Sequence, residues 1–379
     1  MRLSAVIGTN YGDEGKGHVV DCLSDNKSLV IRFNGGAQAA HTVIKSDGSR
    51  HVFHHFGSGT FNGAATYFSK HFIVNPVLFS QELLSLPPDP IVLADPRCLV
   101  TTPVDMILNQ TIEALRGKYK HGSCGLGINE TVTRSEAGFA IVFRDLSNRS
   151  LLKKKIELIV NFWLPRRMRE LNIIEDLEQV DNKQMWEQYY EDCAIMTARC
   201  ESFLWPQSST KLPNYEHFIF EGAQGLLLDE YGKDFPHVTR SRTGLTNVLA
   251  MLEEARIKEM LDIYYVTRPY LTRHGAGPLE NELKEAPYGI VDITNQPNMH
   301  QDILRYAWLD ITKVGTTISH DYKQTTYPLN VILAITCLDQ MPQELQALLY
   351  GKMKMFTHEA FIHNLEDAVQ ADCVRVFKY

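Results

Sequence analysis

A short apolar run, Leu3 to Ile7, opens directly into Gly8-Thr9-Asn10-Tyr11-Gly12-Asp13-Glu14-Gly15-Lys16-Gly17, and an apolar, helix-compatible run, Val19 to Leu23, follows. A strand that ends in glycines and feeds a helix is a phosphate-binding arrangement. Glycines let backbone N–H groups approach an anion closely, and the helix start adds a partial positive charge. Lys16 adds a point charge for phosphate oxygens. The order of residues is not that of a Walker loop, because Asn10 stands where the first glycine belongs and Gly17 follows the lysine. Two carboxylates, Asp13 and Glu14, lie inside the turn instead. Acids repel phosphate unless a metal sits between them or they move protons. The plainer alternative is a glycine-rich turn with solvated acids.

Strand-like runs recur along the chain at Leu3–Gly8, Leu29–Phe33, Ile91–Ala94, His217–Glu221, Ile263–Thr267 and Val331–Thr336. Helix candidates lie between and after them at Val104–Arg116, Leu151–Asn172, Met185–Leu204, Thr246–Ala255 and Phe361–Val369. This alternation predicts an α/β protein around a mostly parallel sheet, with P-loop-like phosphate turns at strand ends and a helical insertion at about residues 145–210. Leu86–Pro90 and Trp205–Pro213 read as surface connections. Lys153–Lys155 and Arg166-Arg167 read as a solvated helix face. A length of 379 residues admits one large domain or two.

The formal charge of −7 argues against a non-specific nucleic-acid binder. No apolar run reaches membrane-spanning length, and no basic region leads into an apolar signal core. The seven cysteines are scattered without a Cys-x-x-Cys pair, which fits reduced thiols and a cytoplasmic enzyme, with no membrane and no zinc ribbon.

A second strand runs into Gly35-Gly36-Ala37-Gln38-Ala39-Ala40-His41-Thr42. A histidine beside a phosphate loop suits acid or base work near neutral pH, although a lone histidine is also a common structural residue. His51, His54 and His55 follow without a carboxylate or cysteine at metal-ligand spacing, and they read as packing or surface residues. Further glycine turns lie at Gly122–Gly127, Glu221–Gly225 and Thr272–Pro278. Several such turns in one α/β chain indicate more than one phosphate-bearing ligand. The residues by themselves describe an enzyme that binds nucleotides and moves a phosphoryl group, with Asp13 and His41 as proton-transfer candidates.

Taken in order, Gly12–Gly17, Gly35-Gly36 with His41-Thr42, Phe220–Gly225, Pro236–Thr239, Thr272–Pro278 and Trp308-Leu309-Asp310 resemble the adenylosuccinate synthetase family. The resemblance implies one large α/β domain, a homodimer, and a ligase that joins L-aspartate to C6 of a purine monophosphate at the expense of a purine triphosphate. Asp13 would be the base that removes the N1 proton and, with the carbonyl of Ala40, would hold Mg²⁺. His41 would hydrogen-bond the transferred phosphoryl group. Gly12, Gly15, Lys16, Gly17 and Thr42 would bind the triphosphate. Asp339, in Thr336-Cys337-Leu338-Asp339, would read the donor base, which favours GTP and leaves ATP or dATP open. Gln224 would hold the acceptor base and the 6-phosphoryl intermediate. Gln38, Cys124 and Thr239 would hold the 5′-phosphate, with Arg134 reaching it from the neighbouring subunit.

The departures from the family pattern gather around the substrates. The aspartate loop reads Met299-His300-Gln301-Asp302-Ile303-Leu304-Arg305, leaving Arg305, with Gln301, to meet the aspartate. Near Ile303 the family has an arginine that contacts the ribose 2′-hydroxyl, and an isoleucine cannot make that bond. A deoxynucleotide loses nothing there, whereas a ribonucleotide leaves its hydroxyl unpaired. Leu126 and Cys337 also replace basic residues, and the usual C-terminal Gly-Pro-Asp-Arg segment is absent from Thr357–Tyr379. This pattern resembles a phage branch of the family that converts dGMP to the succino precursor of 2-aminoadenine deoxynucleotide, acting in the host cytoplasm. IMP is the other acceptor, and Asp13 speaks for it. A binding protein that no longer ligates is a further reading, motivated by the altered loop.

Overall fold

Nine strands lie side by side in one sheet, and every pairing in it is parallel. The computed structural model describes all residues except 46, 120, 175–176, 291–303 and 379. Its strands in chain order are β1 (Arg2–Gly8), β2 (Ser28–Arg32), β3 (His41–Ile44), β4 (Arg50–Phe53), β5 (Ala65–Phe68), β6 (Val92–Ala94), β7 (Cys200–Ser202), β8 (His217–Gly225), β9 (Leu261–Thr267), β10 (Tyr270–Arg273), β11 (Glu282–Leu283), β12 (Arg305–Trp308), β13 (Leu329–Thr336), β14 (Glu344–Leu349), β15 (Lys352–Thr357) and β16 (Cys373–Phe377). The helices are α1 (Lys16–Leu23), α2 (Pro76–Leu83), α3 (Pro103–Arg116), α4 (Ile128–Glu136), α5 (Arg149–Leu158), α6 (Leu164–Glu170), α7 (Lys183–Arg199), α8 (Thr246–Glu254), α9 (Ile311–Tyr322) and α10 (His358–Val369).

The large sheet has the order β16-β13-β9-β1-β8-β2-β5-β6-β7, with β1 between β8 and β9. Its central strands are near-continuous apolar runs because both faces are covered. Leu3, Ala5 and Ile7 of β1 face one core with α8, α9 and α10, while Val6 faces another with Val19 and Val20 of α1. Parallel strands place their carboxyl ends on one edge, where ligands bind in such folds. The chain leaves β1 at the middle of that edge and crosses past β8 to β2, so the first two glycine turns both open there. The whole is a single mixed α/β domain.

The helical insertion packs as a separate apolar cluster. Phe68, Phe72 and Phe79 meet Trp163, Tyr189 and Met196 there. The segment read as one helix over Leu151–Asn172 contains a wider π turn at Ile159–Trp163. Pro165 is the physical cause: it has no N–H for a bond to the preceding turn. The helix expected over Met185–Leu204 ends at Arg199, and Cys200–Ser202 instead forms the edge strand β7. Trp205, assigned to a surface connection, is buried: its ring stacks on Tyr67 and its N–H reaches the Met251 carbonyl at 2.9 Å. No helix among the described residues is long and apolar enough to cross a membrane.

Candidate active site

A cleft of about 680 Å³ opens at the carboxyl edge of the sheet. Its lining brings together Gly12, Asp13, Lys16, Gln38, Ala40, His41, Cys124, Gln224 and Thr239, from turns spread over more than half the chain.

The first turn solves its charge problem internally. Glu14 is buried, and its Oε1 accepts the N–H groups of Asn10 (3.0 Å) and Gly12 (2.9 Å). Its Oε2 takes one N–H of Lys16 at 2.7 Å. A carboxylate thus sits in the nest that the glycines build, and Gly8 and Gly225 both lack the Cβ that would collide with it. An ammonium has three donors, so Lys16 keeps two for phosphate oxygens. Asp13 has the left-handed backbone φ of 61°, uncommon outside glycine and a mark of functional turns. Its Oδ2 lies 3.3 Å from Nε2 of His274. Burial pushes the Asp13 carboxyl up, but the bond and charge of His274, with Arg268 and Lys16, outweigh it and hold the group below its ordinary range.

His41 begins β3 and is buried against the first turn of α1. A Cβ at Gly17 would lie 2.9 Å from that of His41, so this glycine allows the close approach. His41 Nδ1 is 2.7 Å from Glu221 Oε1. Glu221 also accepts from Ser58, through its hydroxyl and its N–H, and has Arg32 Nε at 3.9 Å. Burial pushes Glu221 up, yet His41 and Arg32 bring it down to about 2. A carboxylate on Nδ1 fixes the tautomer, so the Nδ1–H donates to Glu221 and Nε2 is left for a ligand. That Nε2 is buried and has no protein partner. Burial, opposed by Glu221, holds His41 below the ordinary imidazole range, which favours the neutral ring with its lone pair on Nε2. An anion arriving at Nε2 favours the protonated ring, which then donates to it.

Gln224, the last residue but one of β8, has a φ of 57°. Its Oε1, together with both polar atoms of the Gln38 amide, is buried without a partner, and the two amides converge on Gly35, each within 3.3 Å of where its Cβ would be. Buried polar groups are normally satisfied, so three such atoms in one cleft mark a place for a polar ligand. The turn Gly122–Gly127 also lines the cleft, with Cys124 and Leu126. All seven cysteines are free thiols.

Other expected residues lie differently. Arg134 is a correction. It is fully buried, bound to Asp105 through Nε (2.8 Å) and Nη2 (2.9 Å) and to the carbonyls of Val100 and Phe139. It belongs to the inward stripe Ile128, Thr131, Arg134 of α4, so it cannot meet a phosphate in a neighbouring subunit. Arg305 lies on β12, but Glu282 of β11 occupies the fork that would clamp an aspartate carboxylate, and its Nη1 donates to Gly275 and Gly277. Thr42 and Asp339 lie outside the lining of this cleft, Asp339 exposed beyond β13. Gln301 and Ile303 fall outside the described residues. Arg167 corrects the solvated-face reading: it turns into the cleft and pairs with the buried Glu130 at 2.8 Å. Arg166 stays exposed.

Glu221 and His274 lie within the strand-end motifs but the sequence alone assigns them no role, and it assigns Glu14 only its charge in the first turn. An acid at the end of an apolar strand is the local signal that marks Glu221, because a buried charge needs a partner. The partner choices of Glu14 and His274 are made in three dimensions and leave no local trace. No group of three or more histidines, cysteines or carboxylates able to hold a metal occurs among the described residues. The cleft does fit Mg²⁺, which binds through one or two carboxylates and completes its shell with water and substrate phosphates. Asp13 has one oxygen against His274, and Ala40 is exposed in the lining of the same cleft.

A family model described as adenylosuccinate synthetase matches residues 5–323. The adenylosuccinate synthetase of Borrelia duttonii (strain Ly) is 26% identical over 388 residues, covering 100% of this chain and 85% of that protein. That of Microcystis aeruginosa is 31% identical over 293 residues, covering 74% of this chain and 62% of that protein. Among solved structures, the fully ligated adenylosuccinate synthetase from Plasmodium falciparum has a TM-score of 0.77 at 18% identity and covers 99% of this chain and 97% of that one. The cyanophage S-2L succinoaminodeoxyadenylate synthetase, bound to dGMP and to dATP as an energy donor, has a TM-score of 0.61 at 14% identity, covering 100% and 92%. At these identities the two structures speak for the fold.

Proposed function

Because the chain belongs to the adenylosuccinate synthetase family of carbon–nitrogen ligases, which join aspartate to a purine nucleotide, we propose that it condenses L-aspartate with C6 of dGMP through a 6-phosphoryl intermediate, with GTP as phosphate donor. The observation that carries the chemistry is the convergence of Asp13, Lys16, His41 and Gln224 on one cleft, with His41 Nε2 and Gln224 Oε1 buried and unpartnered.

Each residue has work suited to its surroundings. Asp13 is held ionised and takes the N1 proton, which makes O6 a nucleophile toward the γ-phosphorus. His41, fixed by Glu221, presents Nε2 to the transferred group and donates to it as charge arrives. Lys16 and the N–H groups of Gly15 and Gly17 hold the triphosphate. Asp13 and the Ala40 carbonyl would hold Mg²⁺, which would supply positive charge against the triphosphate. Gln224 holds the acceptor base, and Gln38, Cys124 and Thr239 its 5′-phosphate. The amine of aspartate then forms the C6–N bond as the C6–O bond breaks and phosphate leaves. Arg305, with Gln301, is the aspartate contact, and binding there requires Arg305 to exchange Glu282 for the substrate carboxylate. Asp339 reads the donor base, for which ATP and dATP are the alternatives to GTP. The working unit is a homodimer in the cytoplasm, that of a host if the chain is phage-encoded.

The choice of dGMP rests on Ile303, which gives a ribose 2′-hydroxyl no partner. IMP is the second reading, favoured by Asp13 and by the sequence relatives. Purified protein with aspartate, Mg²⁺ and GTP or ATP is offered dGMP, GMP, dIMP and IMP, and the product is weighed. The expected result is a succino adduct formed fastest from dGMP. Faster turnover of IMP overturns the choice of acceptor, and no adduct from any of the four removes ligation from this chain.

A further inference from the structure

The turn that follows β10 touches three parts of the cleft at once. At its start, His274 lies with Nε2 3.3 Å from Oδ2 of Asp13. The next residues grip the loops on either side. Gly275 and Gly277 accept from Arg305 Nη1 at 2.8 and 2.6 Å, and the Ala276 N–H reaches the His121 carbonyl at 3.2 Å. Gly122 meets Gly275 so closely that a Cβ on it would lie 2.5 Å from the Gly275 Cα. His274 therefore projects from a braced piece of backbone and not from a free loop.

Asp13 needs such bracing. Its side chain is 20% exposed, and it stands on a turn where Gly12, Asp13 and Gly15 all have positive φ. Two torsions separate its carboxylate from the backbone. A proton-abstracting carboxylate loses rate steeply when it is displaced by about 1 Å.

We propose that His274 is a positioning residue for the ligation: by holding Oδ2 it fixes the plane of the Asp13 carboxylate that serves the acceptor purine and the cation. The proposal rests on Asp13 being the base. His274 touches no reacting atom and acts through Asp13. Groups in this relation to a catalytic ligand or base typically alter activity about 10- to 100-fold.

The test is steady-state kinetics on the full chain, with whichever of dGMP and IMP the wild type turns over faster. The variants are H274L, H274Q and D13N, with far-UV circular dichroism and melting temperature as folding controls. H274L is expected to lower kcat about 10- to 100-fold and to leave KM for the monophosphate and the triphosphate within about twofold. H274Q, whose amide can place an N–H donor near the position of the imidazole Nε2, is expected to recover most of that loss. An unchanged kcat in H274L, with activity lost in D13N, overturns the role of His274 and leaves the base standing. Full activity in D13N overturns the base reading itself. A rise in KM equal to the loss in kcat/KM, or a lack of recovery in folded H274Q, also overturns the positioning role. If H274L does not fold, the comparison of H274Q with wild type decides: near-wild-type kcat supports the proposal and a loss of more than about 10-fold overturns it.

Discussion

Glu221 gives His41 its orientation, its tautomer and a counter-charge, and it does so from a position with no access to solvent. Replacing it by glutamine keeps the shape and removes the charge. E221Q is expected to lower kcat by about 10- to 100-fold, with a smaller change in triphosphate KM, measured in the steady state. The same carboxyl makes a prediction in pH. Its folded value of about 2 lies below the ordinary 4.5, so the ionised form favours the fold. That contribution is complete above the unfolded value and disappears as pH falls through the folded one. Wild-type stability, followed by denaturant unfolding between about pH 5 and pH 2, is expected to fall more steeply than that of E221Q. At this scale the sequence was informative wherever a residue follows a strand-end glycine, as Asp13, Lys16, His41 and Gln224 do. It misled at Arg134, which is close in sequence to a phosphate turn but lies on the inward stripe of α4 against Asp105. The register of that stripe, Ile128 and Thr131 before Arg134, is the signal that was passed over.

Between the residues and the fold stand the turns, and the closest contact between two of them is Gly122 on Gly275. Gly122 has φ of 78°, and an added Cβ would strike backbone, which cannot rotate away. G122A combines a left-handed penalty of about 1–2 kcal/mol with that clash. It is expected to raise the acceptor Kd about tenfold or more, read by calorimetric titration, while the triphosphate Kd stays near wild type. Elements were legible in proportion to their burial and length. β1, β9 and β13 are continuous apolar runs and were read within two residues at each end. β7 has three residues, two of them exposed, at the tail of a helix, and helical periodicity carried past Arg199 into it. Trp205 was lost among polar neighbours because its burial depends on Tyr67 and Met251, distant in sequence. The π turn had a visible cause in Pro165.

On the scale of the molecule, the arginine expected from a second subunit is internal, so Arg134 is no route by which the proposed homodimer shares a site. Light scattering behind size exclusion should give about twice 43.1 kDa. A species of 43.1 kDa at all concentrations removes the dimer.

The parallel order of the sheet also sets a schedule. β1 pairs with β8 and β9, roughly 200 residues and more further along the chain. At about 5–20 residues per second, a newly made β1 waits on the order of 10–40 s before its neighbours leave the ribosome. Through that interval the first phosphate turn has no sheet to stand on, and Glu14 has no Gly225 beside it. The segment that carries β1 is made before both of its sheet neighbours, so an interrupted synthesis yields the phosphate turn without the platform that shapes it.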